Sequence, residues 1–374
     1  MAPLKNYFNQ DVIRQTAAIF GRVDPGFDAV QFTEIAGAGL DGLELKERVI
    51  QIMHALDATL PDDFDAFTEC VLASMHKSED PSGEGLSFDG SGLTGFAAWP
   101  VTELVSKRGL DVPERALPLL KEVTKRFTAE FAIRPFLVTH RDYTLSVLNG
   151  WVEDRSRHVR RLVSEGTRPR LPWGMRLHDF VADPQPILPF LEALRDDGED
   201  YVRRSVANSL NDVAKDHPDR VGKIVAKWLP GANPDRERLL RHACRTLIKA
   251  GHKPTLDAFG YGAMDGLSCT LAIKTPTVAY GQSLEFEVEL DGDVTGRPLM
   301  LDYAIHFVKA NGERTPKVFK WKDAKVNGRG LRAAKRHAIK PITTRRYYGG
   351  EHLLEIWANG RSVASAAFTL VIPG

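Results

Sequence analysis

The 374-residue chain has only three cysteines, Cys70, Cys244 and Cys269. An odd, scattered set gives neither a disulfide framework nor paired metal-ligand spacing, and it fits a reducing compartment in which buried thiols act as small hydrophobes. The eleven histidines are dispersed, so no His/Cys cluster points to a metal. No apolar run approaches the roughly eighteen residues of a membrane span, and Met1-Ala2-Pro3-Leu4-Lys5 lacks the apolar stretch of a signal peptide. The expectation is a cytoplasmic protein with no membrane partner, no metal and no cofactor. Excess charge is also lacking, at +1 overall. That balance hides an asymmetry, because residues 1–267 hold 34 Lys and Arg against 39 Asp and Glu, whereas residues 268–374 hold 16 against 10. Lys317 to Arg346 contains eleven basic residues and one acid, Asp323. Such density suggests a polyanionic partner, met by Lys317, Lys320, Arg332, Lys335 and Arg336; the alternative is a solvated hairpin with scattered lysines.

Up to about residue 260 the apolar residues follow a helical period. Leu120, Val123, Phe127 and Phe131 step by three and four, as do Val202, Val206, Leu210 and Val213, giving each segment one core-facing stripe. Pro61, Pro113, Pro135, Pro184, Pro218 and Asn233-Pro234 punctuate short helices in antiparallel pairs. Ser78 to Gly92 resists this pattern and reads as an exposed loop. Gly37-Ala38-Gly39-Leu40-Asp41-Gly42 has the letters of a dinucleotide fingerprint, but its flanks read as helical rather than as a strand and a βαβ unit, so it is a turn. After Gly262 the period changes to two. Cys269–Ile273, Leu284–Leu290 and Leu353–Trp357 read as strands, with turns at Asp291-Gly292-Asp293, Asn311-Gly312 and Asn359-Gly360. The predicted architecture is a multidomain chain: an all-α HEAT-like repeat solenoid over 1–265, then an all-β immunoglobulin-like sandwich of about seven strands over 266–374.

The solenoid rests on a repeated phrase. Val159-Arg160-Arg161-Leu162-Val163-Ser164-Glu165 returns forty-three residues later as Val202-Arg203-Arg204-Ser205-Val206-Ala207-Asn208, and more weakly at Leu239–Ala243. Between the copies lies Gly166-Thr167-Arg168-Pro169-Arg170-Leu171-Pro172-Trp173-Gly174, a basic, proline-stiffened loop too elaborate for a plain turn. Positions four apart on a helix differ by about 40°, so Arg161 and Glu165 share a face, as do Arg204, Asn208 and Asp212. Equivalent helices of successive repeats should set these two columns side by side in the concave groove. Glu130 is a third carboxylate, flanked by apolar residues. Each has a plainer reading: Arg161–Glu165 and Asp212–Lys215 as local ion pairs, and Trp173 as the cap on one end of a repeat.

Taken together, the carboxylates converge on a groove rimmed by arginines that include Arg155, Arg157, Arg160, Arg168, Arg170 and Arg176. Rim arginines neutralise phosphates. Carboxylates inside such a groove repel DNA unless they face a cation, either a charged base or the oxocarbenium sugar formed as a glycosidic bond breaks, which a fixed carboxylate stabilises. A tryptophan face adds attraction to a cationic lesion. These residues therefore point to DNA N-glycosylase chemistry on positively charged alkylated bases.

The runs Glu130-Phe131-Ala132-Ile133-Arg134-Pro135-Phe136, Gly166 to Trp173 and Val202 to Asp212 resemble the AlkC branch of the HEAT-like-repeat DNA alkylation repair proteins, and the likeness extends over nearly the whole chain. It implies a monofunctional glycosylase, without metal or cofactor, that removes 3-methyladenine and 3-methylcytosine from double-stranded DNA while the base stays stacked. It also implies that Glu130, Glu165, Trp173 and Asp212 form the catalytic cluster, with Asp212 stabilising the sugar cation and placing water. DNA contacts are expected from Arg160, Arg161, Arg168, Arg170 and Arg204 and from the five basic residues of the sandwich. The place of action would be the nucleoid of a bacterial-type cytoplasm, and the expected state is a monomer, because a lesion has no two-fold symmetry to match. Two other functions remain open on the sequence: a non-catalytic scaffold for DNA or protein, and a sandwich that docks a protein on a helical platform.

Overall fold

The computed structural model describes residues 3–79, 90–262, 264–292, 296, 298–325, 330–342 and 345–372. Most of the expected loop Ser78 to Gly92, together with Asp293, lies outside these. The chain forms two compact units, Met1–Asp216 and His217–Gly374.

The first unit is built of helices. Asn9, Asp28 and Asp63 cap three of them by accepting from backbone N–H groups of the first turn, as short polar side chains do at that position. Pro113 stands first in its helix, Pro113–Val123, where its missing N–H costs nothing. The expected turn at Gly37–Gly42 is one: a helix ends at Gly37, Gly39 takes a positive φ of 62°, and a short 3₁₀ turn follows. One helical stripe is shorter than its sequence period. The helix carrying Leu120 ends at Val123, and Phe127 and Phe131 lie beyond it, each stacked on Trp99 with ring centroids 5.7 and 5.4 Å away. Aromatic packing, not helical repetition, sets their spacing, and the irregular stretch so formed carries Glu130.

In the second unit, helices Pro218–Trp228, Pro234–Ala243, Arg245–Lys249 and Lys253–Ala258 precede, among the described residues, eight strands. These are β1 (Ser268–Ile273), β2 (Thr277–Ala279), β3 (Ser283–Asp291), β4 (Pro298–Val308), β5 (Arg314–Lys325), β6 (Gly330–Ala338), β7 (Gly350–Ala358) and β8 (Arg361–Val371). They form a three-stranded sheet, β1-β3-β6, and a five-stranded sheet, β2-β8-β7-β4-β5. Leu284, Phe286, Val288 and Leu290 of β3 meet Leu301, Tyr303 and Ile305 of β4 and Ile356 of β7 in the core, the result of clean period-two alternation. Asn359 and Gly360 turn β7 into β8 with φ of 47° and 76°, the hairpin geometry that their sequence signals. A Cβ on Gly251 would lie 2.6 Å from the Gly360 carbonyl oxygen, so helix-end and hairpin backbones touch where only glycine fits.

Candidate active site

Two neighbouring helices deliver the central carboxylates. Helix Arg157–Gly166 buries Val159, Leu162 and Val163 and packs on helix Asp200–Val213, which buries Val202, Val206 and Leu210. The Ser164 and Ser205 hydroxyls meet between them at 2.7 Å, so small residues let the two backbones approach. Glu165 and Asp212 are the penultimate residues of their helices. That is the end where unpaired carbonyls already concentrate negative potential and where acids are unfavourable. Both are nevertheless buried, with Glu165 5% and Asp212 1% exposed.

Cations repay this placement. Arg168, only 7% exposed, donates through Nη1 to Glu165 Oε1 at 2.6 Å and through Nε to Asp212 Oδ2 at 2.8 Å. Arg161 donates to Glu130 Oε2 at 2.8 Å and lies 3.6 Å from Glu165 Oε1. Lys215 Nζ donates to Asp212 Oδ1 at 2.9 Å. The result is one alternating chain of charge: Lys215, Asp212, Arg168, Glu165, Arg161, Glu130. Burial works to raise the Glu165 carboxyl, but Arg161 and Arg168 outweigh it and hold it below the ordinary carboxylate range. Burial likewise opposes the charge on Arg161, and Glu130 and Glu165 overcome it and raise that guanidinium. Tyr201, whose ring lies 4.7 Å from the Arg161 guanidinium carbon, has its hydroxyl raised chiefly by burial. It stays neutral beside the chain of charges.

Beneath the cluster runs a support that sequence reasoning did not single out. Arg134 is fully buried and donates through Nε to the Met175 carbonyl at 2.6 Å and through Nη1 to the Gly166 carbonyl at 2.8 Å. Burial, helped by the nearby charge of Arg168, lowers it to about 10, so it remains a cation at neutral pH and pins both ends of the loop from Gly166 to Met175. A Cβ on Gly166 would lie 2.5 Å from Ile133 Cγ2, which is why glycine stands where the Glu130 segment crosses the helix end. The available signal was an arginine between Ile133 and Pro135-Phe136, with no polar neighbour to explain it.

Trp173 crowns the loop. It is 69% exposed and has a φ of 63°, a left-handed backbone that a bulky residue adopts only under constraint. Lys46 supplies part of that constraint by donating to the Trp173 carbonyl at 2.8 Å. Its exposure rules out the plainer reading of Trp173 as the apolar cap of a repeat.

The basic residues divide differently from expectation. Arg168 is not a rim residue but, like Arg161, an interior cation of the cluster. Arg160 is held by Asp197 through two bonds of 2.6 and 2.9 Å, and Arg170 by Asp216 through two of 2.8 and 2.7 Å. Arg204 sits at the start of its helix and pairs with Asp200 at 3.1 Å, a turn away from Asn208 and two from Asp212. In the sandwich, period two scatters the basic run. Lys317 pairs in register with core residue Ile305, whereas Lys320 pairs with Asp302, so the two emerge on opposite faces of β5. Arg332 and Arg336 face β3, where Glu289 and Glu285 meet them at 2.6 and 3.4 Å, and Lys335 has the opposite parity. The basic run is thus a set of separated charges, two of them paired with glutamates of β3.

Among the described residues no group of three or more His, Cys, Asp and Glu is arranged to hold a metal ion, and no helix is long and apolar enough to cross a membrane. Comparison with known proteins gives a consistent picture. Residues 124–247 match the family described as DNA alkylation repair enzyme, and residues 268–372 match the C-terminal Ig-like domain of the uncharacterised protein YhaZ. YhaZ of Bacillus subtilis (strain 168) is 35% identical over 98% of this chain and 99% of its own length. The solved structure of the alkylpurine DNA glycosylase AlkC of Pseudomonas fluorescens, bound to DNA containing an abasic site analog, is 34% identical. It covers 99% of this chain and 100% of its own, with a TM-score of 0.87.

Proposed function

Since the chain belongs to the AlkC-like family of DNA alkylation repair proteins with a C-terminal immunoglobulin-like domain, we propose that it is a DNA N-glycosylase excising cationic alkylated bases, 3-methyladenine and 3-methylcytosine among them. The observation that carries this reading is the convergence of Glu165 and Asp212, both buried, on the C-terminal ends of adjacent helices. Two helix ends and two carboxylates bring acceptor oxygens to one point, where Arg161 and Arg168 hold them in place before substrate arrives, and such preorganised groups are worth most where water is excluded.

In the proposed reaction the bond from sugar C1′ to the base nitrogen breaks and its electron pair leaves with the base. An N-methylated cationic base becomes neutral as it departs, so no general acid is needed. Positive charge passes to the sugar, where Asp212, supported by Glu165 and Glu130, stabilises it and orients the water that adds to C1′ and then gives up one proton to bulk solvent. Trp173 offers its exposed π face to the cationic base. The base need not be extruded for this, and neither metal nor cofactor takes part. Double-stranded DNA is the partner, bound by a monomer. The test is chromatography of the bases freed from methylated duplex DNA by the purified protein. Release of 3-methyladenine and 3-methylcytosine is expected, and absence of both overturns the proposal.

A further inference from the structure

Of the six charges in the cluster, five are held from more than one side or lie deep in the fold, and Lys215 is the exception. Its side chain is 43% exposed while that of Asp212 is 2% exposed. It follows the end of its helix, tied to Asp212 Oδ1 at 2.9 Å. Arg168, which holds the other oxygen, is fixed by Glu165 as well and is buried. Asp212 therefore has one permanent cation and one that can leave without breaking the fold.

We propose that Lys215 is an exchangeable stand-in for the substrate's positive charge. In the free protein it occupies the open oxygen of Asp212, offsetting a carboxylate that is both buried and at the wrong end of a helix dipole. When DNA arrives, a backbone phosphate competes for the ammonium group, a compact and flexible charge well suited to such a swap. Lys215 turns outward to the phosphate, and Oδ1 becomes available to the cationic sugar. Lys215 is thus a positioning residue, and it makes exposure of the carboxylate conditional on bound DNA. The inference deepens the glycosylase reading and rests on it for the role of Asp212.

The experiment measures binding of an undamaged duplex by fluorescence anisotropy across a salt series, for the wild type, Lys215→Met, Lys215→Arg, Asp212→Asn and the Asp212→Asn, Lys215→Met double variant. One phosphate contact contributes about 0.9 to the slope of log affinity against log salt. Between 50 and 200 mM salt the wild type should accordingly lose about 3.5-fold more affinity than Lys215→Met, a difference that Lys215→Arg removes. Asp212→Asn should tighten binding several-fold more when Lys215 is present than in the Lys215→Met background, because only then is a cation released. Equal salt slopes, additive effects of the two substitutions, or no DNA binding by the wild type each overturn the inference. Base release by the wild type is scored separately: intact coupling without release sinks the glycosylase reading and leaves the exchange standing.

Discussion

Arg168→Met removes the cation shared by Glu165 and Asp212 and leaves two carboxylates, 5% and 1% exposed, short of a partner. Breaking a buried pair from one side costs about 3–5 kcal/mol. Arg161 still lies 3.6 Å from Glu165 and Lys215 2.9 Å from Asp212, so the loss belongs at the low end, about 3 kcal/mol. The assay is urea denaturation followed by helical circular dichroism, with Arg170→Met as the comparison because the Arg170–Asp216 pair lies at the surface and should matter little. Adding Glu165→Gln to Arg168→Met should recover part of the loss, since it removes one of the two stranded charges. The pH dependence fixes the sign. Glu165 is held below its ordinary range, so the stability it draws from its cations is present above the unfolded carboxylate pKa and lost as pH falls through the folded one. The gap between wild type and Arg168→Met should then be widest near neutrality and narrow in acid. A loss no greater than that of Arg170→Met, or a gap independent of pH, would refute the picture of a buried chain of charge.

Three further outcomes follow from the geometry. Trp173→Ala should change stability by less than about 0.5 kcal/mol because the indole is exposed; base release should fall about 3- to 30-fold, the range of a cation–π contact, and single-turnover rates beside melting curves check both. His337 is driven down to about 4, chiefly by burial and then by Arg345, Lys335 and Lys317. The unfolded chain therefore takes up a proton that the folded one refuses, and stability contributed by His337 is complete above about pH 6.5 and lost as pH falls toward 4; His337→Gln should flatten that part of a melting-temperature profile. Finally, Arg332→Ala with Arg336→Ala should leave the salt slope of DNA binding nearly unchanged, since Glu289 and Glu285 already pair with both, whereas a fall of about 1.8 would mark them as two phosphate contacts.

Much of the architecture was legible because burial imposes periods. The alternation at Leu284–Leu290 could only be a half-buried strand, and the forty-three-residue echo placed two equivalent helices side by side. Helix geometry also brought Arg161 onto the face of Glu165. What period could not convey was depth. Arg168 read as a rim residue because its neighbours in sequence are basic, yet the loop folds back over two helix ends and buries it between carboxylates. The same limit applied to Phe127 and Phe131, whose helical spacing arises from stacking on Trp99. Arg134 escaped notice because its partners are main-chain carbonyls at Gly166 and Met175, which leave no mark in a sequence. In the sandwich, the basic run was visible as composition, but cross-strand register decides which charges meet glutamates, and register depends on pairings far apart in the chain.

The most direct test of the central claim is the single-turnover rate at which 3-methyladenine leaves a methylated duplex, compared between the wild type and Asp212→Asn with DNA affinity measured alongside. The electrostatic account predicts a drop of about 10²–10³ in rate, the scale of losing one preorganised group at a developing charge, with DNA binding retained. Equal rates in the two proteins would contradict it.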